Sequence, residues 1–398
     1  MQLKSTLRLL ADYCHSHDYK GYDVGDSVDS WLMTHTALGK NNFIRFCFGH
    51  LTGHRIGYFN VRPFMRIPTF HNAKGIALFL NAYCNLYDIA VANVSEAPFS
   101  KEECLSRIKY LGSLLVSLRH KGIKGYGWGY PTTWQSRKFH FPLNTPTAVA
   151  SSFAVDALFH AFEITGDDMY KVTALETVTF VLEDLHRTPH KGGFIFSYSQ
   201  YEGNNTVYNA SLLAARILLQ CYKYTKNKEY LEIAKTAIDT CVKDQAEDGS
   251  WKYGLLKSQS WIDNFHTGYN LEAIWEYKQV VGENIYDDCL RRGVDFMLKN
   301  HFDCNGVPKY FHNKQYPIDI HCCGALYPVL YKLGLFKENE RLASQVYDWT
   351  MRNMWSEKKH YFYFQHHKWF VNKAALMRWS QAFMFNALSY YEKSICGL

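Results

Sequence analysis

Residues 165–185 read TGDDMYKVTALETVTFVLEDL, and residues 225–245 read TKNKEYLEIAKTAIDTCVKDQ. Residues 281–301, VGENIYDDCLRRGVDFMLKNH, and 336–354, FKENERLASQVYDWTMRNM, repeat the pattern. Each is a turn, an aromatic or aliphatic anchor, then an amphipathic helix. The anchors Tyr170, Tyr230 and Tyr286 stand 60 and then 56 residues apart. An earlier relative, SKEECLSRIKYLGSLLVSLRHKG, starts at Ser100. Such a period holds two helices of about 18 residues and their connections.

More apolar segments alternate with these: 72–90, 147–165, 208–224, 266–280, 319–333 and 375–394. A helix apolar on several sides is a buried one, and amphipathic helices cover it. A further helix near 41–53 is expected to supply the sixth outer partner. Six hairpins stacked in a circle make an all-α (α/α)6 toroid with one continuous core. The repeat predicts a single domain over 1–398, its ring closed by N-terminal helices, where length alone suggests two or three domains.

The connections into the inner helices are 122–146, 191–205, 248–264, 305–319 and 358–373. They are rich in Gly and aromatics and alternate like strands, which predicts short β-hairpins. All run from an outer to an inner helix, so all lie on one face. There the inner-helix N-termini bring partial positive charge and free N–H groups to one concavity.

Composition narrows the function. The chain has 398 residues, 47% hydrophobic and 16% aromatic with 29 Tyr, which excludes wholesale disorder. The aromatic excess implies a very aromatic core or an aromatic-lined cavity. Forty-four basic against 37 acidic residues give +7, without a basic run. That suits a small anionic ligand or a membrane surface and does not argue for nucleic acid. The cysteines number 11, and the N-terminus lacks the apolar core of a signal peptide. The apolar stretch 76–94 is broken by Asn81, Asn85, Asp88 and Asn93, so no transmembrane segment is expected, while peripheral membrane contact stays open. These features predict a reducing, cytoplasmic location.

Six motifs carry candidate chemistry. In WIDNFHTGYNLEAI, residues 261–274, Trp261, Asp263, Asn264, His266 and Tyr269 gather at an inner-helix start. One N-cap explains one of them, not all five. In YPIDIHCCGALYPVL, residues 316–330, Asp319 and His321 open the next inner helix, 55 residues on from His266. Two His–Asp pairs at one height could supply the acid and the base for proton transfer at a sugar carbon or glycosidic oxygen. No pair of carboxylates stands out for two-carboxylate hydrolysis. In YGWGYPTTWQSR, residues 126–137, Trp128, Tyr130 and Trp134 offer flat faces for a sugar ring, or pack the rim. Arg62 and Arg66 flank Pro63 and could hold a carboxylate or phosphate, or bridge to an acid such as Asp29. Tyr208 and Asn209, and Arg378, Trp379 and Gln381, start two further inner helices and read equally as lining or packing. No dinucleotide fingerprint, Walker loop, nucleophile elbow or paired-cysteine motif occurs.

The repeat, the loop placement and the Trp/Tyr-rich mouth resemble the six-hairpin (α/α)6 enzymes, a clan of glycoside hydrolases, polysaccharide lyases and sugar epimerases. More narrowly, NVRPFMRIP, YGWGYP, VYNAS, QAEDGSW, WIDNFHTGY, YPIDIHCCG and MRWSQAF resemble a bacterial family encoded in capsule and O-antigen polysaccharide clusters. That resemblance implies a role in surface-polysaccharide biosynthesis and assigns no catalytic residue. QAEDGSW and DNFHTGYNL are also similar to elements of the toroid prenyltransferases and terpene cyclases. There a zinc site would fall on His266, Asp319 and His321, with His where that family has Cys.

The leading expectation is therefore an acid/base enzyme on an anionic sugar, nucleotide- or lipid-linked, working without a cofactor: an epimerase or lyase, or else a hydrolase. His266 and His321 would exchange protons, and Asp263 and Asp319 would orient them. An isoprenoid-handling toroid with Zn, or a non-catalytic assembly protein, are the alternatives.

Overall fold

Asn72, Ser100, Thr147, Asp167, Asn227, Asp263 and Asp319 each turn a side-chain oxygen back onto an amide two or three residues ahead. Each thereby satisfies a donor the helix leaves free and fixes where a helix begins. The computed structural model describes residues 3–50, 62, 64–92, 97–135 and 140–398. The helices in chain order are α1 (Leu3–Ser16), α2 (Trp31–His35), α3 (Asn42–His50), α4 (Ala73–Val91), α5 (Lys101–Ser117), α6 (Ala148–Thr165) and α7 (Asp168–Thr179). They continue with α8 (Tyr208–Thr225), α9 (Lys228–Val242), α10 (Asn264–Val281), α11 (Asp287–Asn300), α12 (Ile320–Gly324), α13 (Leu326–Lys332), α14 (Glu340–Met354) and α15 (Phe383–Ile395). A π-helical turn, Met377–Ala382, leads into α15.

Contacts between successive inner helices close a ring: α4 packs on α6, α6 on α8, α8 on α10, α10 on α13, α13 on α15, and α15 on α4. Outside it, α5, α7, α9, α11 and α14 pack on α4, α6, α8, α10 and α12. The fold is the all-α (α/α)6 toroid. α6 is long and apolar enough to cross a membrane by length and composition alone, but it lies between α4 and α8, most of it buried.

The sixth outer helix differs from the expectation of a helix near 41–53. It is α1, which lays Leu3, Leu7, Leu10, Ala11 and Cys14 on the α15 side of the ring. Those residues recur every three or four positions over four turns, a full core-facing stripe. The shorter α3 sits at the rim, against the turn Asp26–Asp29 and the strand Trp134–Gln135. The predicted inner helix 319–333 is likewise two pieces. Pro328 has no N–H for the Gly324 carbonyl, and the helix is interrupted at Ala325.

The connections form β1 (His120–Lys121) with β2 (Tyr126–Gly127), β3 (Trp134–Gln135) with β4 (His140–Phe141), and β5 (Arg187–His190) with β6 (Gly193–Phe196). β7 (Ile318–Asp319), β8 (Gln365–His366) and β9 (Val371–Asn372) make one three-stranded sheet. The connections at 248–264 and 305–319 hold bridges and turns instead of the predicted hairpins of their own. A regular belt links them. The residue that precedes five of the six inner helices pairs with the next connection: Thr147 with Ser199, Val207 with Gly254, Asp263 with Phe311, Asp319 with Gln365, and Leu376 with Tyr22. The helix starts around the mouth are thus tied to one another, repeat to repeat.

Candidate functional site

Counting from each capping residue gives one register for the mouth. Two positions past the cap stand Lys74, Val149, Asn209, Phe265, His321 and Arg378; one further on stand His266 and Trp379. These positions fall in the first turn of the inner helices, on the face where the belt runs.

On α10 the Asp263 carboxylate does two jobs. Oδ1 accepts the His266 amide at 3.0 Å, and Oδ2 lies 2.7 Å from His266 Nδ1 and 3.0 Å from the Trp261 indole nitrogen that donates to it. Burial alone would raise this carboxyl, but the His266 ring and its hydrogen bonds outweigh that and hold it below the usual range. The His266 ring lies against Tyr253 and Phe265 and keeps 22% of its side chain exposed. With Nδ1 engaged by a carboxylate, Nε2 is the nitrogen open to a ligand. Trp261 stacks on Tyr253 at 4.5 Å and is 37% exposed, a flat edge beside the histidine.

The second predicted pair is built differently. Asp319 Oδ1 accepts the His321 amide and the Trp379 indole, and Oδ2 accepts the Gln365 amide. His321 Nδ1 stands 3.9 Å from Oδ1 and has no partner among the described residues. Its ring is buried against Phe383, Trp379 and Phe265. Burial, then the charges of Lys74, Arg378 and His266, hold His321 well below the usual imidazole range. At 3.9 Å, Asp319 does not hold the ring as Asp263 holds that of His266. Burial raises the Asp319 carboxyl to about 6. With both oxygens spoken for and 3.9 Å to the nearest imidazole nitrogen, Asp319, His321 and His266 as placed are not a zinc ligand set. Among the described residues no three His, Cys, Asp or Glu side chains converge as metal ligands.

The aromatic and arginine predictions divide. Tyr130 lies beneath the Arg378 guanidinium at 5.2 Å, near Tyr198 and the half-buried Trp134, so these line the mouth together. Trp128 does not. Its indole donates to the Leu115 carbonyl at 2.7 Å, and the ring is fully buried, because a glycine-flanked loop lets it drop into the core. Tyr208 turns to Asp244 beside α9, 2.9 Å away, and Gln381 holds the Phe362 backbone through both ends of its amide. Both are packing residues. Arg62 is paired with the buried Asp26 at 2.9 Å, and Arg66 is exposed. Arg378 is held by Asp23 through two bonds of 2.7 Å. The arginines expected to receive an anion are thus paired with acids or face solvent. Residues 51–61, 63 and 136–139, which complete the two rim motifs, lie outside the described residues.

Sequence reading missed Lys74. It stands in the first turn of α4, and its Nζ donates to the Tyr269 hydroxyl of α10 at 3.1 Å, across the ring from the opposite inner helix. Nζ also lies over the rings of Phe153 (4.2 Å) and Tyr269 (4.7 Å). Beneath this floor is a cavity of about 20 Å³, room for one water. Asp156, Arg216, Glu272 and Lys332 line it in paired form. At the inner-helix starts, both side-chain atoms of Asn264, Asn209 Oδ1 and His321 Nδ1 are buried without a partner among the described residues. Each is a place where a ligand or water completes the bonding. The register itself would have exposed Lys74, as a charged residue in the first turn of a helix whose first two turns are otherwise apolar.

No family profile matches the chain, and no curated protein matches it in sequence. Solved structures do match in shape. The Lin0763 protein of Listeria innocua is similar over 100% of this chain and 99% of its own, with TM-score 0.62 and 13% identity. A GH76 α-mannanase of Bacteroides thetaiotaomicron covers 81% of this chain and 87% of its own, TM-score 0.57, 12% identity. A cellobiose 2-epimerase of Spirochaeta thermophila covers 81% and 85%, TM-score 0.57, 12% identity. The likeness establishes the toroid and nothing finer.

Proposed function

We propose that this chain is a carbohydrate-active enzyme that moves a proton on a sugar carbon, an epimerase or isomerase rather than a two-carboxylate hydrolase. The observation that carries the reading is the buried Asp263 carboxylate on His266 Nδ1, 2.7 Å away. It fixes the tautomer, leaves Nε2 as the base, and stabilises the imidazolium that forms when His266 accepts a proton. Trp261, Tyr253 and Tyr130 supply sugar-stacking faces. The fold neighbours called an α-mannanase and a cellobiose 2-epimerase support a sugar as substrate. Surface-polysaccharide assembly, a lipid- or nucleotide-linked form of that sugar, and a cytoplasmic site are the setting we infer, supported by the motif resemblance and by 11 free cysteines, eight of them buried.

The test is a panel of free, nucleotide-linked and lipid-linked sugars incubated with the protein in D₂O and followed by NMR. Deuterium entering a carbon-bound position of one sugar is the expected result. No exchange and no new sugar across the panel would overturn the reading.

A further inference from the structure

The Lys74 amine, 3% exposed, stands in the first turn of α4, at the end of the ring where the inner helices begin. It reaches across the ring from α4 to Tyr269 on α10, the helix that also carries His266 one turn earlier. Among the described residues it forms no ion pair; its neighbours are a phenol and two aromatic faces. The charges it feels are Arg378, which is repulsive and itself bound to Asp23, and the more distant Asp23 and Glu272. A helix N-terminus adds partial positive charge. A cation stored there for structure would have a carboxylate beside it, as Arg216, Lys332 and Arg378 do.

We propose that Lys74 is a carbonyl-reactive amine that forms an imine with the aldehyde carbon of an open-chain reducing sugar. The Nζ lone pair attacks C1, and the carbonyl oxygen takes up a proton. The resulting carbinolamine loses water as the C=N bond forms, and hydrolysis later returns amine and aldehyde. The Tyr269 hydroxyl, 3.1 Å from Nζ, is placed to pass the proton from nitrogen to the departing oxygen. The protonated imine draws electrons from C2 and makes its C–H acidic, and His266 Nε2 is the base on the same helix that receives that proton. Burial, with Arg378 in support, holds the ammonium well below its usual range, in the direction that favours the free amine. The substrate class, a sugar with a free aldehyde, rests on the carbohydrate reading above; the amine's reactivity does not.

Two measurements separate these. The folded protein is treated at neutral pH with glycolaldehyde, the smallest hydroxyaldehyde, and cyanoborohydride, and adducts are mapped by peptide mass spectrometry. Lys74 should be alkylated ahead of the exposed lysines, having no carboxylate beside it and a phenol placed to move the proton. An unmodified Lys74 alongside modified surface lysines overturns the proposal. Lys74→Met, with native near-ultraviolet circular dichroism, should abolish C2 exchange in any reducing sugar the wild type turns over; retained exchange overturns it too. If no sugar exchanges in the wild type while Lys74 still labels first, the amine site stands and the carbohydrate reading falls. Should Lys74→Met not fold, the labelling result decides.

Discussion

Asp263 binds His266 at both ends of one carboxylate, capping the helix with Oδ1 and holding the ring with Oδ2. The two jobs come apart on substitution. Asp263→Asn keeps an oxygen for the cap and loses the charge that stabilises a protonated ring. We expect turnover to fall by about 10²–10⁴-fold, as for loss of general acid–base catalysis, with thermal stability nearly unchanged. Asp263→Ala should show the same loss and a further ~1 kcal/mol of destabilisation from the missing cap. Equal stability of the two variants would show that the cap carries nothing.

Trp128 and Trp261 belong to neighbouring expectations and have opposite surroundings. Trp128→Ala opens a hole in a sealed core and should cost about 3–5 kcal/mol in denaturant unfolding. Trp261→Ala removes a partly exposed ring and should leave stability nearly unchanged while weakening sugar affinity, read by calorimetric titration. A folded Trp128→Ala of wild-type stability would contradict its placement.

His301 is buried with neither ring nitrogen bonded among the described residues, and burial lowers it to about 4. The unfolded chain, with an ordinary imidazole near 6.5, takes up a proton first as pH falls. Stability is therefore lost between about pH 6.5 and 4, on the order of 3 kcal/mol from this group. His301→Phe should reduce that acid loss by a comparable amount. The measurement is urea unfolding at a series of pH values, and parallel curves for the two proteins would refute it.

Arg378 and Asp23 are both buried, so either one alone is an uncompensated charge. Arg378→Met should cost about 3–5 kcal/mol. Adding Asp23→Asn should recover part of it, and a double-mutant cycle gives the coupling directly.

The toroid was legible because its evidence is periodic. Tyr170, Tyr230 and Tyr286 mark the same place in three hairpins, and Asp263 and Asp319 cap the helices they were expected to start. The candidate site was legible only where one short segment contains it, as in Trp261–Asp263–His266. The rest depended on partners far apart in sequence. The glycines beside Trp128 permit its inward turn, but nothing local says that Trp134 meets Tyr198. Nothing local says that Arg62 finds Asp26, or that Lys74 finds a phenol 195 residues away. α1 outcompetes the segment at 41–53 because its apolar stripe is longer, which shows only when the two are compared for one vacancy. Pro328 announced its own break.

The bond between Asp23 and Arg378 joins residues 355 positions apart. Synthesis makes the first of these long before the second. Until the last hairpin leaves the ribosome, Asp23 has no guanidinium and α4 has no neighbour on its open side. A growing chain therefore carries five-sixths of a ring with an uncovered seam. Contacts of such sequence separation form slowly, since the loop between them must first be ordered. The mouth is completed in one late step, so partial chains should be exposed to chaperones and proteases in the interval.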